Sequence, residues 1–155
     1  IAYATNGLLY AWGANKSGQC GVGIQNNDVR NPKVMLYPRE KAVMHFAAGA
    51  DHTLIVIGDG ELHVCGSGLN GKLGHGVLDS LCAPRRNAQI GEARLKFVAC
   101  GEAHSGGIDI EGHTWMWGAG SYGRLGHTEE IDCLIPRQVE HFSEGMEAIA
   151  LGGFH

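Results

Sequence analysis

The chain has 155 residues, of which 44% are hydrophobic and 18% charged, a composition typical of a globular domain and not of a disordered segment. Its 12 basic residues against 16 acidic ones give a net charge of −4, so nucleic-acid binding through this segment alone is not expected. No apolar run approaches the roughly 20 residues that cross a bilayer, and no secretory signal is visible, so we expect an intracellular protein, in nucleus or cytoplasm, without membrane contact.

In chain order, apolar runs of strand length alternate with glycine-rich turns. The first clear run covers residues 9–12, and a second unit contains two runs, 54–57 and 62–65, joined by a Gly-Asp-Gly turn. A third unit repeats this arrangement at 108–110 and 114–117. The 25 glycines indicate many tight turns, and no stretch has the periodicity of an α-helix, so the sequence predicts an all-β protein.

An internal repeat of about 52 residues organises these runs. Pro32, Pro84 and Pro136 are separated by 52 and 52 residues, and many glycines and histidines follow the same offset. Agreement across unrelated residue types indicates one supersecondary unit that occurs several times. We place the units at about residues 1–48, 49–100 and 101–151, and the start of another at 152.

The second strand of each unit predicts how its sheet is covered. Residues i and i+2 share one face of a strand, so Trp115 and Trp117 lie on one face, and Thr114 and Met116 on the other. Because both faces are largely apolar in all three units, both must be covered by neighbouring sheets. A four-stranded sheet between two similar sheets is a propeller blade, so we predict that residues 1–155 form part of one β-propeller domain.

The repeated motif resembles that of the regulator-of-chromosome-condensation repeat family. The two full copies, which begin at Gly49 and Gly101, read G-x-x-H-[ST], a turn, an apolar or aromatic strand that ends in glycine, and then G-x-x-G-[QKR]-[LC]-G. The first copy is truncated and carries Gly13, Gly18 and Gly21. The resemblance covers essentially the whole chain, and it implies four-stranded blades in a ring of seven, of which this chain supplies about three. We expect the motif residues to have structural roles: Gly13, Gly18, Gly21, Gly49, His52, Gly66, Gly71, Gly74, Gly101, His104, Gly118, Gly123, Gly126 and His155.

Three patterns that could suggest a cofactor, a metal or catalysis are better explained by the repeat. G-x-G-x-x-G occurs at 66–71 and 118–123, but a dinucleotide loop must lead into a helix, and here another glycine turn follows. Repeated histidines occupy separate blades, whereas zinc needs three or four converging ligands. A hydrolytic triad is assembled once and not in every repeat. We therefore expect no cofactor, no metal and no catalytic residue.

The five cysteines form no Cys-x-x-Cys pair, and several take positions where other repeats have apolar residues. We expect reduced, packed thiols and no disulfide framework. The tryptophans are expected to pack between blades. The plant ultraviolet-B receptor of this family has tryptophan after the first motif glycine, where this chain has Ala50, Glu102 and Gly153, so the resemblance does not imply photoreception.

The predicted function is a non-catalytic module for binding macromolecules, within a larger protein. Loops vary while turns stay constant, so we expect specificity in loops 22–31, 76–83 and 127–135, and segments 37–43 and 85–92 are also candidates. The candidate partner surface comprises a basic set for an acidic partner and an acidic pair for a basic one: Arg39, Lys41, Arg85 and Arg86, and Glu129 and Glu130. From the resemblance, the expected partner is a protein, either a small GTPase or a component of ubiquitin-ligase or ciliary assemblies.

The alternative function is guanine-nucleotide exchange on a Ran-like small GTPase, with chromatin association. The resemblance implies it, because the founding member of the family is such an exchange factor. Exchange in that protein depends on loops at one propeller face, including a wedge inserted between repeats. The near-constant repeat spacing leaves no room for such a wedge within residues 1–155.

Overall fold

The structure is a computed structural model that describes residues 1–142 and 145–155. Its regular elements in those residues are short strands and three 3₁₀ turns, as the glycine-rich pattern predicts. The strands are β1 (Ala2–Tyr3), β2 (Leu9–Gly13), β3 (Val29–Val34), β4 (Val43–Ala48), β5 (His52–Ile57), β6 (Glu61–Gly66), β7 (Leu81–Arg86), β8 (Leu95–Cys100), β9 (His104–Asp109), β10 (Thr114–Gly118) and β11 (Cys133–Gln138). The 3₁₀ turns are Leu69–Gly71, Ala88–Ile90 and Ser121–Gly123.

The strands form three antiparallel sheets. Two are four-stranded, in the orders β4-β5-β6-β7 and β8-β9-β10-β11, and one is three-stranded, in the order β1-β2-β3. The all-β prediction is confirmed, with about three sheets in the chain. In the described residues the first sheet has three strands.

The sheets are offset from the repeat units of the sequence. β4 precedes Gly49 but belongs to the same sheet as β5, β6 and β7. Likewise, β8 precedes Gly101 but pairs with β9. Each four-stranded sheet therefore takes its first strand from one sequence unit and its other three strands from the next unit.

The same irregularity recurs where the outer strand of each sheet pairs with its neighbour. The register shifts between Ala11 and Gly13, between Val64 and Gly66, and between Met116 and Gly118. Gly66 has φ +104°, and a Cβ there would lie 2.6 Å from the Cα of His52. Glycine is required at this place because the bulge needs positive φ and because the adjacent strand approaches closely.

The hydrophobic core lies between the sheets. Every residue of β5 and of β9 is buried, and β8 packs against both β4 and β5 of the preceding sheet. The central sheet is therefore covered on both faces, as expected. The first sheet is covered on one face within the described residues: Leu9 and Ala11 are buried, whereas Trp12 is 47% exposed. In the described residues, no helix is long and apolar enough to cross a membrane.

Candidate functional site

A hydrogen-bonded seam joins the second sheet to the third. The backbone carbonyl of Lys72 accepts two hydrogen bonds from the third sheet, one from the Ser105 hydroxyl at 2.7 Å and one from the Trp117 indole N–H at 2.9 Å. Ser105 and Trp117 are both fully buried. Since a buried carbonyl without a partner is costly, this arrangement fixes how the two sheets meet.

An aligned seam joins the first sheet to the second. The backbone carbonyl of Gln19, which aligns with Lys72, accepts a hydrogen bond from the Thr53 hydroxyl at 2.8 Å. The thiol of Cys65 takes the place of the Trp117 indole, with its Sγ at 3.7 Å from the same oxygen. The residue after the motif histidine, Thr53 or Ser105, therefore ties each sheet to the preceding one.

His52 also contributes to the seam between the second and third sheets. Its Nε2 lies 2.8 Å from the Oγ of Ser105, and since that hydroxyl donates its proton to Lys72, we infer that His52 is the donor, in its neutral Nε2–H form. A histidine beside a serine is also the arrangement of a hydrolytic nucleophile and its base. Here both side chains are 0% exposed, and the Ser105 hydroxyl donates its proton to the Lys72 carbonyl. The pair therefore joins two sheets and is not arranged for catalysis.

The motif glycines next to these histidines allow neighbouring sheets to approach closely. A Cβ on Gly49 would lie 2.6 Å from the carbonyl oxygen of Gly101, and one on Gly101 would lie 2.5 Å from that of Gly152. His104 donates from Nε2 to the carbonyl of His155 at 3.2 Å. The first glycine and the histidine of the motif thus form a continuous contact between successive units.

One ion pair is largely buried beside the seam between the second and third sheets. Nζ of Lys72 lies 2.7 Å from Oδ1 of Asp51, and the Lys72 side chain is only 6% exposed, whereas that of Asp51 is 32% exposed. The lysine is therefore the buried partner, and its charge depends on Asp51 for compensation. Alignment of the repeats does not reveal this pair: Lys72 aligns with Arg124, but Asp51 aligns with Ala103, so the carboxylate does not recur in the third unit.

His52 makes the stability of the protein depend on pH. Burial, followed by the nearby charge of Lys72, lowers the pKa of His52 to about 3, whereas a histidine in an unfolded chain has a pKa of about 6.5. Below about pH 6.5 the unfolded state takes up a proton that the folded state refuses until about pH 3. The stabilising contribution of neutral His52 is therefore complete above pH 6.5 and is lost as the pH falls.

We expect the free energy of unfolding to fall by about 1.4 kcal/mol from His52 alone between pH 7.5 and about pH 5.5. Urea denaturation of the full-length protein at both pH values measures this loss. His52→Asn should show a smaller loss over the same interval, and the matched change His141→Asn, at an exposed histidine, should behave as the wild type. Equal losses in wild type and His52→Asn would contradict the assignment.

The connections between strands lie at two opposite ends of the sheets. The loop end comprises residues 14–28, 49–51, 67–80, 101–103 and 119–132. The turn end comprises residues 4–8, 35–42, 58–60, 87–94 and 110–113, together with 139–142 and 145–148 after the last strand. The loop end carries seven acidic and three basic residues. One acidic and one basic charge there, Asp51 and Lys72, neutralise each other.

The predicted basic set does not form one patch. Lys41 lies at the turn end, where its Nζ is 2.5 Å from Oε1 of Glu61, and this contact lowers the pKa of Glu61. Arg39 is an exposed residue of the same loop. Arg85 and Arg86 are consecutive on strand β7, so their side chains leave opposite faces of the sheet.

The outer strands β3, β7 and β11 share a basic and proline-containing pattern. In each strand a proline is followed by an exposed cation: Lys33, Arg85 or Arg137. Proline removes a backbone donor and a charge discourages pairing with another strand. This pattern explains the exposed Arg85 as a residue that protects a sheet edge, so no binding partner is needed to explain it.

The predicted acidic pair lies at the loop end. Glu129 is 3.0 Å from Arg137, and both side chains are about half exposed, so this pair contributes little to stability. The hydrogen bond from Arg137 lowers the pKa of Glu129. Glu130 is exposed and makes no ion pair within the described residues. Glu130 is thus the member of the predicted pair with an uncompensated charge.

The loop end also exposes large apolar side chains. The predicted loops 22–31, 76–83 and 127–135 contain three of them, although the sequence did not single out these residues. Ile24 is 42% exposed, Leu78 54%, Ile131 62% and Tyr122 75%. Each of the three long loops contributes at least one of them. Alignment of the repeats does not show them, because it places Ile131 opposite Asp79.

One cluster resembles a metal site, because single ligand atoms of Asp109, Glu111 and His113 lie within 4.8 Å of one another. The Asp109 carboxylate accepts hydrogen bonds from the Trp115 indole at 2.9 Å and from the His113 backbone at 2.8 Å. Burial raises the pKa of Asp109, but these hydrogen bonds outweigh it and lower the pKa below its ordinary value. The Asp109 carboxylate therefore stabilises the turn between β9 and β10.

The cysteines and tryptophans are placed largely as packing residues. All five cysteines are free, with Cys20 and Cys65 buried, and burial raises the pKa of the Cys65 thiol. Trp117 is fully buried, whereas Trp12 is 47% exposed. Trp117 therefore packs between two sheets, and Trp12 lies on the face of the first sheet that no other sheet covers in the described residues.

These sheets, seams and glycine contacts define a β-propeller of repeated blades. A family model, "Regulator of chromosome condensation (RCC1) repeat", matches residues 6–56, 59–108 and 111–155. The chain belongs to the RCC1 repeat family, and the resemblance inferred from the motif is confirmed.

Individual relatives agree with this assignment. The chain is 32% identical over 154 residues to the ultraviolet-B receptor UVR8 of Arabidopsis thaliana, covering 99% of the chain and 35% of the receptor. It is 32% identical over 144 residues to the human E3 ubiquitin-protein ligase HERC2, covering 90% of the chain and 3% of the ligase. The chain therefore spans about a third or less of these relatives.

Solved structures of relatives have the same fold. The crystal structure of Prp20p from Saccharomyces cerevisiae, reported with its binding properties to Gsp1p and histones, superposes with a TM-score of 0.89 at 26% identity, covering 98% of this chain and 39% of Prp20p. A structure of human WBSCR16 superposes with a TM-score of 0.81 at 26% identity, covering 93% of this chain and 38% of that one. The three sheets are therefore RCC1-type blades.

Proposed function

We propose that this chain is part of an RCC1-type propeller that binds other proteins and catalyses no reaction itself. The observation that carries the proposal is the loop end, where loops held in place by rigid blades expose large apolar and charged side chains. Single exposed apolar residues are ordinary, but several at one end of a domain are typical of an interaction surface.

The relatives support the same class of function. The yeast protein Prp20p is reported with binding to Gsp1p and histones, and a second structure shows Kap60 bound to yeast RCC1 (Prp20). Both describe protein partners of a propeller with these blades. The buried Ser105 and His52 pair, which is the arrangement closest to a catalytic one, is already used to join two blades.

Affinity capture with the full-length protein as bait should recover a specific protein partner. A variant with Ile24, Leu78 and Ile131 all changed to serine keeps the buried seams and should lose that partner. Changing Ile110, an exposed apolar residue of the turn end, to serine is the matched control and should retain it. Recovery of no specific partner by the wild-type bait would contradict the proposal.

Nucleotide exchange on a small GTPase is a second candidate, favoured by the similarity to Prp20p and its reported binding to Gsp1p. Within residues 1–155 the loops between blades are short and similar in length, so a wedge would have to lie elsewhere in the protein. Release of labelled GDP from a Ran-type GTPase, with and without the full-length protein, tests this candidate. An unchanged release rate would exclude it without affecting the binding proposal.

A further inference from the structure

The backbone at each exposed apolar residue of the loop end packs against the same position of the repeat. The side-chain amide of Asn15 donates to the carbonyl of Ile24 at 2.9 Å. A Cβ on Gly68, which aligns with Asn15, would lie 2.5 Å from the carbonyl oxygen of Leu78. In each loop the backbone beside the apolar residue is therefore packed against the same repeat position, and the side chain is left outside.

The third loop follows the same arrangement. Gly120 aligns with Gly68, and a Cβ on it would overlap the carbonyl of Ile131. The backbone N–H of Gly120 also donates to Oδ1 of Asp132 at 3.0 Å. The backbone of Ile131 is therefore packed against Gly120, and its side chain is exposed.

The three loops form one continuous surface. The backbone N–H of Gly23 donates to the carbonyl of Cys82 at 2.9 Å, which joins the first loop to the second blade. The Asn70 side chain donates to Asp132 at 3.0 Å, which joins the second loop to the third. A single partner could therefore contact all three loops at once.

Acidic side chains alternate with the apolar ones along this surface. Asp79 follows Leu78, and Glu130 and Asp132 flank Ile131. Asp28, Asp79 and Glu130 make no ion pair in the part of the chain that the structure describes. Carboxylates without counter-charges next to exposed apolar groups would repel an acidic partner or a nucleic acid and attract a basic one.

We propose that the loop end binds a polypeptide segment in which basic and apolar residues alternate. Its apolar side chains would contact Leu78 and Ile131, and its lysines or arginines would pair with Asp79 and Glu130. The proposal rests on the proposed function of protein binding, and it adds the chemistry of the partner and the end of the propeller that it contacts.

The direct test is fluorescence anisotropy of a labelled peptide that alternates lysine and leucine, titrated with the full-length protein. A lysine and serine peptide and a glutamate and leucine peptide serve as comparisons. We expect the lysine and leucine peptide to bind at least about tenfold more tightly than either comparison, because both charge and apolar contact contribute.

Paired variants locate the binding. Asp79→Asn with Glu130→Gln removes two loop-end charges, and Leu78→Ser with Ile131→Ser removes two apolar contacts. Each pair should weaken binding by about tenfold. The matched turn-end variants, Glu40→Gln with Glu92→Gln and Ile110→Ser, change exposed residues of the same types, and they should leave the affinity within about twofold of the wild type.

Equal weakening by the loop-end and turn-end variants would overturn the proposal, because it would show non-specific charge attraction. Equal binding of the glutamate and leucine peptide, or tighter binding of an RNA oligomer, would also overturn it. The two proposals can fail separately. A captured natural partner that is insensitive to Leu78→Ser with Ile131→Ser would refute this inference and leave protein binding intact.

Discussion

Replacing Trp117 by alanine is expected to lower the free energy of unfolding by about 3–5 kcal/mol. The side chain is fully buried in the core between the sheets, and a Cβ on Gly74 would lie only 2.8 Å from its Cδ1. The alanine variant loses this packing together with the hydrogen bond to Lys72. Chemical denaturation of the full-length protein measures the loss.

Two further variants separate the contributions to that loss. Trp117→Phe keeps most of the apolar volume but removes the indole N–H that bonds the Lys72 carbonyl, and should cost about 1–2 kcal/mol. Tyr122→Ala, at an aromatic residue that is 75% exposed, should cost less than about 1 kcal/mol. If Tyr122→Ala were as damaging as Trp117→Ala, burial in the seam would not be the source of the effect.

The second large effect is expected for Asp51→Asn. This change leaves the ammonium of Lys72, 6% exposed, without its counter-charge. Removing one partner of a buried ion pair is strongly destabilising, and because Asp51 is partly exposed we expect a loss of about 2–4 kcal/mol, somewhat below the fully buried case. The midpoint and slope of urea denaturation provide the measurement.

Lys72→Met is the informative counterpart. Methionine has a similar length and no charge, and it leaves Asp51, 32% exposed, accessible to water. We therefore expect Lys72→Met to cost less than Asp51→Asn, by at least about 1 kcal/mol. The opposite order of the two variants would show that Lys72 is not held as a buried charge.

The sequence was sufficient to predict the fold because turns and strands are encoded locally. Glycines at positive φ, such as Gly66, and apolar runs such as 54–57 fix where strands end and which residues are buried, and the repeat multiplies this signal. The offset between sequence units and sheets was not predicted. β4 pairs with β5 across the Gly49 boundary, and strand pairing between units is not visible in the period of a motif.

The candidate site was predicted less well, for a physical reason. The motif histidines His52 and His104, and motif glycines such as Gly49 and Gly101, lie at contacts between blades, where repetition reveals them. The Lys72 and Asp51 pair and the exposed side chains of Leu78 and Ile131 do not repeat at aligned positions. Their importance depends on burial and on neighbours from other blades, which a single sequence does not supply.

The offset between sequence units and sheets has a consequence for how such a chain can grow or shrink in evolution. If residues 49–100 were lost, β4 would be followed directly by β9, which has the same direction and place in its sheet as β5. The hybrid sheet would still contain four strands in the correct order, so recombination at any phase of the repeat removes or adds a whole blade. Gene duplication or deletion in this architecture therefore requires only that the two breakpoints lie one repeat apart. Where in the repeat they fall does not matter.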